Sequence, residues 1–176
     1  QLLPGVKSAG EGTTGLFVRG GSADQNLVQV DGAPVYNASH FFGIFSVFNP
    51  DGIKKVDLYK GNMPASFGGR ASSLIDVTLR EGEKDRIQGE GGIGTISSRM
   101  TLQGPLLGKK SSFLISGRRT YADLFLKLSS NPDLKNNQLN FYDLNGKAAF
   151  SLNEKDKLSI SSYQGSDILG LSGQFG

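Results

Sequence analysis

The residue types that could carry acid–base or nucleophilic chemistry are sparse in this sequence. His40 is the single histidine, and the 176 residues include no cysteine. The serines and carboxylates weighed as partners of His40 in a hydrolase triad are Ser22, Ser39, Asp31 and Asp57. No Gly-x-Ser-x-Gly turn is present to expose a serine nucleophile, and no histidine–carboxylate set has metal-ligand spacing. We therefore expect a protein that is not an enzyme and that holds no metal and no cofactor.

One glycine-rich segment imitates a nucleotide-binding loop. Residues 89–94 match the pattern Gly-x-Gly-x-x-Gly, which binds a dinucleotide only when a strand precedes it and a helix follows it. A serine- and threonine-rich strand pattern follows here, so we expect no nucleotide site. The net charge of +3 is dispersed along the chain. Because no basic patch results, no nucleic-acid partner is expected.

The composition favours a mainly β protein. The 25 glycines and the hydrophobic content of 37% disfavour long helices, since each interior glycine costs a helix about 1 kcal/mol relative to alanine. Only residues 121–128 are free enough of breakers to predict a helix. Turn residues, above all Asp31-Gly32, separate short apolar runs in the first part of the chain. The predicted strands there are Leu16–Val18, Leu27–Val30, Ala33–Tyr36, Ile53–Tyr59 and Leu74–Leu79.

Two further segments of the first part of the chain stand apart from these strands. Residues 40–48 are dense in aromatic side chains and irregular in pattern, and they are predicted to form one helical turn packed on the hairpin. Residues 80–86 are charged and contain a glycine, which predicts a domain boundary.

Beyond that boundary, apolar and polar residues alternate strictly. Between Ile87 and Ile93 the apolar or small residues stand at odd positions, whereas Met100 and Leu102 stand at even positions. A period of two changes phase only at a bulge or a turn. A tight hairpin near Gly94-Thr95 is therefore predicted.

The connections between the later strands also carry information. Five antiparallel strands are predicted after residue 86, joined by short connections at 104–110 and 153–156 and by a long one at 122–138. This pattern is typical of transmembrane β-strands with an apolar face toward lipid and a polar face toward a lumen. Five strands are too few to close a barrel, since the smallest have about eight.

The ends of the sequence and its hydropathy complete this picture. No apolar run is long enough to predict a transmembrane helix. The chain opens on Gln1, without a starting methionine or a signal sequence. We therefore expect a segment of a longer protein, truncated at both ends.

Four motifs follow one another in the first part of the chain. They are Leu-Phe-Val-Arg-Gly-Gly at 16–21, Val-Gln-Val-Asp-Gly-Ala-Pro-Val-Tyr-Asn at 28–37, Val-Asp-Leu-Tyr-Lys-Gly at 56–61 and Phe-Gly-Gly-Arg at 67–70. In this order and spacing they resemble the plug domain of TonB-dependent outer-membrane receptors. Residues 104–121 are similar to the early barrel strands of one branch of that family.

The resemblance implies a plug lodged in the lumen of a 22-stranded barrel, in the outer membrane of a Gram-negative bacterium. Residues 1–82 would be the plug domain without its N-terminal part, 83–85 a linker, and 86–176 the first strands of the barrel. Such a receptor imports a scarce ligand, such as a siderophore, corrinoid, oligosaccharide or peptide. Its partners would be TonB, through a box upstream of this sequence, and outer-membrane lipid; whether a surface lipoprotein covers the barrel is left open.

The resemblance also implies a charge lock between plug and barrel. In the family, two basic plug residues pair with barrel carboxylates, and by motif position these are Arg19 and Lys60. The family more often has arginine at the second position, and lysine lacks the bidentate fork of a guanidinium. A solvated lysine at a strand end is the alternative interpretation of Lys60.

Ligand contacts in relatives come from plug loops that face outside, which map to 22–26 and 36–42. Tyr36, Asn37 and His40 are the candidate contacts, because they combine a stacking surface with hydrogen-bonding groups. The phenylalanines of the second loop are expected to pack in the interior. Turn glycines needing positive φ or close backbone approach complete the set: Gly20, Gly21, Gly32, Gly61, Gly68 and Gly69.

A second function class is a secreted β-sandwich that binds carbohydrate, with the aromatic loop as its platform. Its weakness is the long alternating strands after residue 86, whose apolar faces lack enough other sequence to bury them.

Overall fold

The structure is a computed structural model of the whole chain. It describes residues 6–8, 16–18, 25–41, 45–69, 72–128, 130, 135 and 137–170. The chain divides into two compact units, Gln1–Arg80 and Glu81–Gly176, called here the N-terminal unit and the C-terminal unit.

In its described residues the N-terminal unit is built from short strands in three sheets. The strands are β1 Val6–Ser8, β2 Leu16–Val18, β3 Asn26–Val30, β4 Ala33–Pro34, β5 Ser39–His40, β6 Phe45–Ser46, β7 Ile53–Tyr59 and β8 Ser73–Leu79, with a 3-10 helix at Pro50–Gly52. A two-stranded sheet pairs β1 with β2, a second pairs β5 with β6, and a four-stranded sheet has the order β4-β3-β8-β7. Within that larger sheet β3 and β8 run parallel, and the other neighbours are antiparallel.

The predicted hairpin at Asp31-Gly32 is confirmed. Val30 pairs with Ala33 across the turn, and Asp31 and Gly32 both have positive φ, 48° and 82°. Positive φ at both central residues is the geometry of a type I′ turn, whose twist matches that of the flanking strands. The turn is also tied to β8, because the Asp31 carboxylate accepts the Leu79 N–H at 3.1 Å.

The helical turn predicted within residues 40–48 is tested only in part. His40 in β5 pairs with Phe45 in β6, and Phe41 between them has the hydrogen bonding of a 3-10 helix, while residues 42–44 lie outside the described part of the chain. Phe41 has a φ of 48°, which takes the backbone out of the right-handed helical region.

The core of the N-terminal unit lies on one face of the four-stranded sheet. Val30, Val77 and Leu79 are buried there, and the partly buried side chains packed against them are Val35, Phe48, Ile53 and Ile75. These residues come from β3, β7, β8 and the segments beside them, so burial of this small cluster fixes the parallel pairing of β3 with β8.

The described residues of the C-terminal unit form five strands, β9 Gln88–Ile93, β10 Ser97–Pro105, β11 Ser111–Thr120, β12 Gln138–Ser151 and β13 Lys157–Gly170, with a short helix α1, Ala122–Lys127, between β11 and β12. The strands make an antiparallel sheet in sequence order, β13-β12-β11-β10-β9. The five strands predicted from alternation and the hairpin near Gly94-Thr95 are confirmed. Among the residues that the structure describes, no helix has the length and hydropathy to cross a membrane.

This sheet buries polar side chains on one face and exposes apolar side chains on the other. On the first side, called here the polar face, Thr101 lies opposite Ser116 and Ser116 lies opposite Asn145, and these side chains are buried. The side chains between them point to the other side, called the apolar face, and are exposed: Met100, Leu102, Ile115, Leu144 and Ile160. An exposed apolar surface of this extent marks an interaction with another apolar medium or partner.

A matched pair of valines tests the core of the N-terminal unit. Val77 and Val56 are directly opposite each other on β8 and β7, with exposed fractions of 0% and 53%. Val77→Ala should lower the free energy of unfolding of this unit by about 1.5–3 kcal/mol through lost burial and a cavity. Val56→Ala should change it by less than about 0.5 kcal/mol. Hydrogen exchange of peptides covering β8 measures both, and equal effects would contradict this assignment of the core.

Candidate functional site

Two of the three predicted ligand contacts lie on the surface of the N-terminal unit. Tyr36 has an exposed fraction of 88% and follows β4. The side-chain oxygen of Asn37, which is also exposed, accepts hydrogen bonds from the backbone N–H and the hydroxyl of Ser39, both at 3.4 Å. An asparagine bonded to the backbone two residues on holds a local turn, and this turn presents the Tyr36 ring to the surroundings.

The third predicted contact, His40, is only 3% exposed. It lies in β5, opposite Phe45. The next residue, Phe41, is also buried and meets the Phe45 ring edge-to-face at a centroid distance of 6.4 Å. The structure therefore groups Tyr36 and Asn37 at the surface and places His40 among packed aromatic residues, where direct ligand contact would need the loop to open.

Of the predicted charge-lock residues, Lys60 alone is in the described part of the chain. It follows β7 directly and is partly buried, and Gly61 next to it has a φ of 127°. Arg19, together with Gly20 and Gly21, lies outside the described residues.

The remaining turn glycines divide into two groups. Gly32 and Gly69 have positive φ, the region that favours glycine. Gly68 has neither a positive φ nor any atom within 4 Å of an added Cβ, so the reason expected from the sequence does not hold there.

The polar face of the C-terminal unit carries an ion pair that the sequence reasoning missed. Arg118 on β11 lies opposite Asp143 on β12. Its Nε and Nη2 donate to the same carboxylate oxygen, Oδ2, at 2.9 and 2.5 Å. The side chains of Arg118 and Asp143 are 14% and 0% exposed. A buried carboxylate depends on such partners, because losing one leaves an uncompensated charge.

The third strand of this cluster contributes Tyr163, whose hydroxyl donates to the other carboxylate oxygen of Asp143 at 3.2 Å. Gly165, the residue opposite Asp143 on β13, makes room for that hydroxyl, since a Cβ at this position would come within 2.3 Å of it. The Arg118 guanidinium also lies 5.0 Å from the centroid of the Phe141 ring, within cation–π range.

This cluster binds β11, β12 and β13 together on the polar face. The sequence signal that could have found it is the opposite charge at two polar-face positions, Arg118 and Asp143, but their pairing needs the register of the strands. On the same face, the Thr101 hydroxyl of β10 donates a hydrogen bond to the Ser116 hydroxyl of β11 at 2.9 Å. Within the described residues, no group of three His, Cys, Asp or Glu side chains could hold a metal ion.

Comparison with known proteins agrees with this architecture. Residues 1–73 match the model of a family described as TonB-dependent Receptor Plug Domain. No curated protein matches the chain.

Two solved structures have a similar fold. The siderophore receptor PirA from Acinetobacter baumannii is similar with a TM-score of 0.61 and 20% identity, over 94% of this chain and 28% of that one. The ferric enterobactin receptor PfeA is similar with a TM-score of 0.58 and 17% identity, over 92% of this chain and 29% of that one. The chain thus spans less than a third of the length of these two receptors.

The Arg118–Asp143 pair generates a stability prediction. Asp143→Ala should destabilise the sheet by about 3–5 kcal/mol, because it leaves the Arg118 guanidinium without its buried partner. Asp167→Ala, an exposed aspartate on the same face of β13, should cost less than about 1 kcal/mol. Thermal loss of β-sheet circular dichroism, in a detergent that covers the apolar face, compares the two variants. A loss for Asp143→Ala no larger than that for Asp167→Ala would refute the role of the pair.

Proposed function

We propose that this chain, whose residues 1–73 match a family of TonB-dependent receptor plug domains, is part of such a receptor and serves in the active import of a scarce ligand across the outer membrane. The observation that carries the proposal is the succession along one chain of a matched plug domain and a sheet with an exposed apolar face. A plugged lumen is the known solution for a barrel of 22 strands, which is too wide for its own side chains to fill.

The proposed organisation assigns residues 1–82 to the plug, 83–85 to a linker and 86–176 to the first strands of the transmembrane barrel. In this assignment the exposed side chains of the apolar face, such as Met100 and Leu144, contact lipid. The buried polar face lines the lumen, where the plug lies. Bonds between strands satisfy the backbone of each inner strand, as a hydrocarbon environment demands.

The proposed ligand site is on the loop that follows β4. Tyr36 offers an exposed ring and Asn37 an amide held by a local turn, and ring stacking combined with hydrogen bonding suits siderophores, corrinoids, oligosaccharides and peptides. His40 belongs to the proposal as a contact that a loop opening would expose. Of the two structural neighbours named above, one is described as a siderophore receptor and the other as a ferric enterobactin receptor, which makes iron-carrying ligands of this kind the first class to test.

The proposed partners follow from active import through a plugged barrel in the outer membrane. TonB would supply the energy, through a segment upstream of residue 1, and outer-membrane lipid would surround the sheet. Arg19 and Lys60 would hold the plug by pairing with carboxylates of the barrel. The protein would be a transporter with no catalytic function.

The alternative, a secreted β-sandwich that binds carbohydrate, needs a second sheet to cover the apolar face. The exposed fractions of Met100, Ile115 and Ile160 speak against it, because a sandwich buries the facing sides of its two sheets.

Uptake in cells tests the function. A strain expressing the full-length receptor should accumulate one ligand from a panel of radiolabelled ferric siderophores, cyanocobalamin, maltodextrins and peptides. Deletion of TonB or collapse of the proton gradient should abolish that accumulation. A receptor found only in the soluble cell fraction would contradict the proposal, and the sandwich would then be preferred.

The charge lock makes a separate prediction about permeability. Arg19→Ala in the full-length receptor should loosen the plug and make cells more sensitive to antibiotics that are too large for porins. Lys54→Ala, an exposed lysine on β7, serves as the control and should leave sensitivity unchanged. Minimal inhibitory concentrations at equal receptor levels provide the measurement. Unchanged sensitivity of the Arg19 variant would count against a locking role.

A further inference from the structure

The peptide that joins the two units is held on both sides. Arg80, the last residue of the N-terminal unit, donates its backbone N–H to the Gly52 carbonyl at 2.9 Å. Its Nη1 donates to the Asp51 carbonyl, also at 2.9 Å. Arg80 is therefore bound to the 3-10 helix of its own unit.

The residues that follow are bound to the sheet of the C-terminal unit. The Glu81 carbonyl accepts the Ser112 hydroxyl of β11 at 2.7 Å, and the Glu81 carboxylate forms an ion pair with Lys157 at the start of β13. Lys84 donates to the Ser151 hydroxyl at the end of β12, at 3.2 Å. Residues 81–84, called here the strap, thus connect to β11, β12 and β13.

Gly82 explains how the strap approaches the sheet so closely. Its φ is 87°, and a Cβ there would stand 2.1 Å from the Phe113 carbonyl oxygen and 2.7 Å from its carbon. Neither backbone atom can move aside without disturbing β11. Glycine is therefore required at this position for two independent reasons, the left-handed backbone and the lack of space.

We propose that the strap is a fixed part of the C-terminal unit and that the hinge for any rearrangement of the N-terminal unit is the Arg80–Glu81 peptide. The two neighbouring residues are bound to different units, so the boundary between the units lies between residues 80 and 81, ahead of the linker predicted at 83–85, and the chain has no free length at this point. A displacement of the N-terminal unit larger than rotation at this hinge allows must break either the bonds of Arg80 to the Asp51 and Gly52 carbonyls or the bonds of the strap to the ends of β11, β12 and β13.

The proposal about the strap rests on the proposed function only where it concerns a role in transport. In that role the strap would stay with the first strands of the barrel while the energy supplied by TonB rearranges the plug. The bonds themselves, and the order in which they release, are independent of any ligand.

Two reporter cysteines on either side of the hinge test the proposal in the full-length receptor in outer-membrane fragments. The 176 residues contain no cysteine, and cysteines elsewhere in the full-length receptor are replaced. Thr78→Cys reports on β8, and Glu83→Cys reports on the strap without removing any of the bonds named above. Reactivity toward a maleimide is followed across a urea series.

If the strap is fixed to the C-terminal unit, the two cysteines should become reactive at different urea concentrations. At the concentration where Thr78→Cys is half reactive, Glu83→Cys should react at least about ten-fold more slowly, because it stays protected until the sheet opens. Reaction of both cysteines over the same urea range would overturn the proposal. Because no uptake is measured, a receptor whose proposed function failed could still pass this test, and the two failures are distinguishable.

Alanine substitutions at two glycines test the docking of the strap in a second way. Gly82→Ala should abolish the delayed reaction of Glu83→Cys, since the added methyl group meets the Phe113 backbone. Gly108→Ala is the matched control, because Gly108 also has a positive φ, 68°, but no atom within 4 Å of an added Cβ. The delay should survive in this control. Equal behaviour of the two alanine variants would show that Gly82 does not dock the strap and would also overturn the proposal.

Discussion

The apolar face of the five-stranded sheet is the constraint on which the rest of the structure depends. Residues such as Met100, Ile115 and Leu144 are exposed on it, while polar side chains on the opposite face are buried. Water would disfavour this arrangement, since transfer of apolar surface out of water is worth roughly 25 cal/mol per Å². The lipid environment proposed above would remove the conflict, and the match of residues 1–73 to a plug-domain family supports that proposal.

A buried polar face creates its own demands, which the structure meets with bonds between strands. Asp143 accepts from Arg118 and from Tyr163, so both of its oxygens are satisfied. Each of the strands β11, β12 and β13 supplies one side chain to this cluster. The register that places Arg118 opposite Asp143 also places Gly165 where the Tyr163 hydroxyl needs room. Losing the register by one residue would move every one of these groups to the apolar face.

Much of this fold could be predicted from the sequence, because its strongest signals are local. The Asp31-Gly32 turn and the alternation after residue 86 depend on neighbouring residues, and the structure confirms both. The parallel pairing of β3 with β8 joins residues far apart in sequence, and no local pattern specifies it. The Arg118–Asp143 pair was missed for the same reason. The charge and the glycine of residues 80–86 predict a domain boundary, but they do not indicate that Ser112 and Lys157 bind Glu81.

The most direct measurement of the central claim is the accessibility of neighbouring positions on β12 in the full-length receptor in a lipid bilayer. Spin labels at Leu144 and Asn145 are compared for collision with oxygen, which concentrates in lipid, and with a water-soluble nickel complex. A membrane-spanning sheet predicts high oxygen and low nickel accessibility at Leu144, and low oxygen accessibility at Asn145. Equal, high nickel accessibility at both positions would contradict a lipid-facing sheet and the receptor built on it.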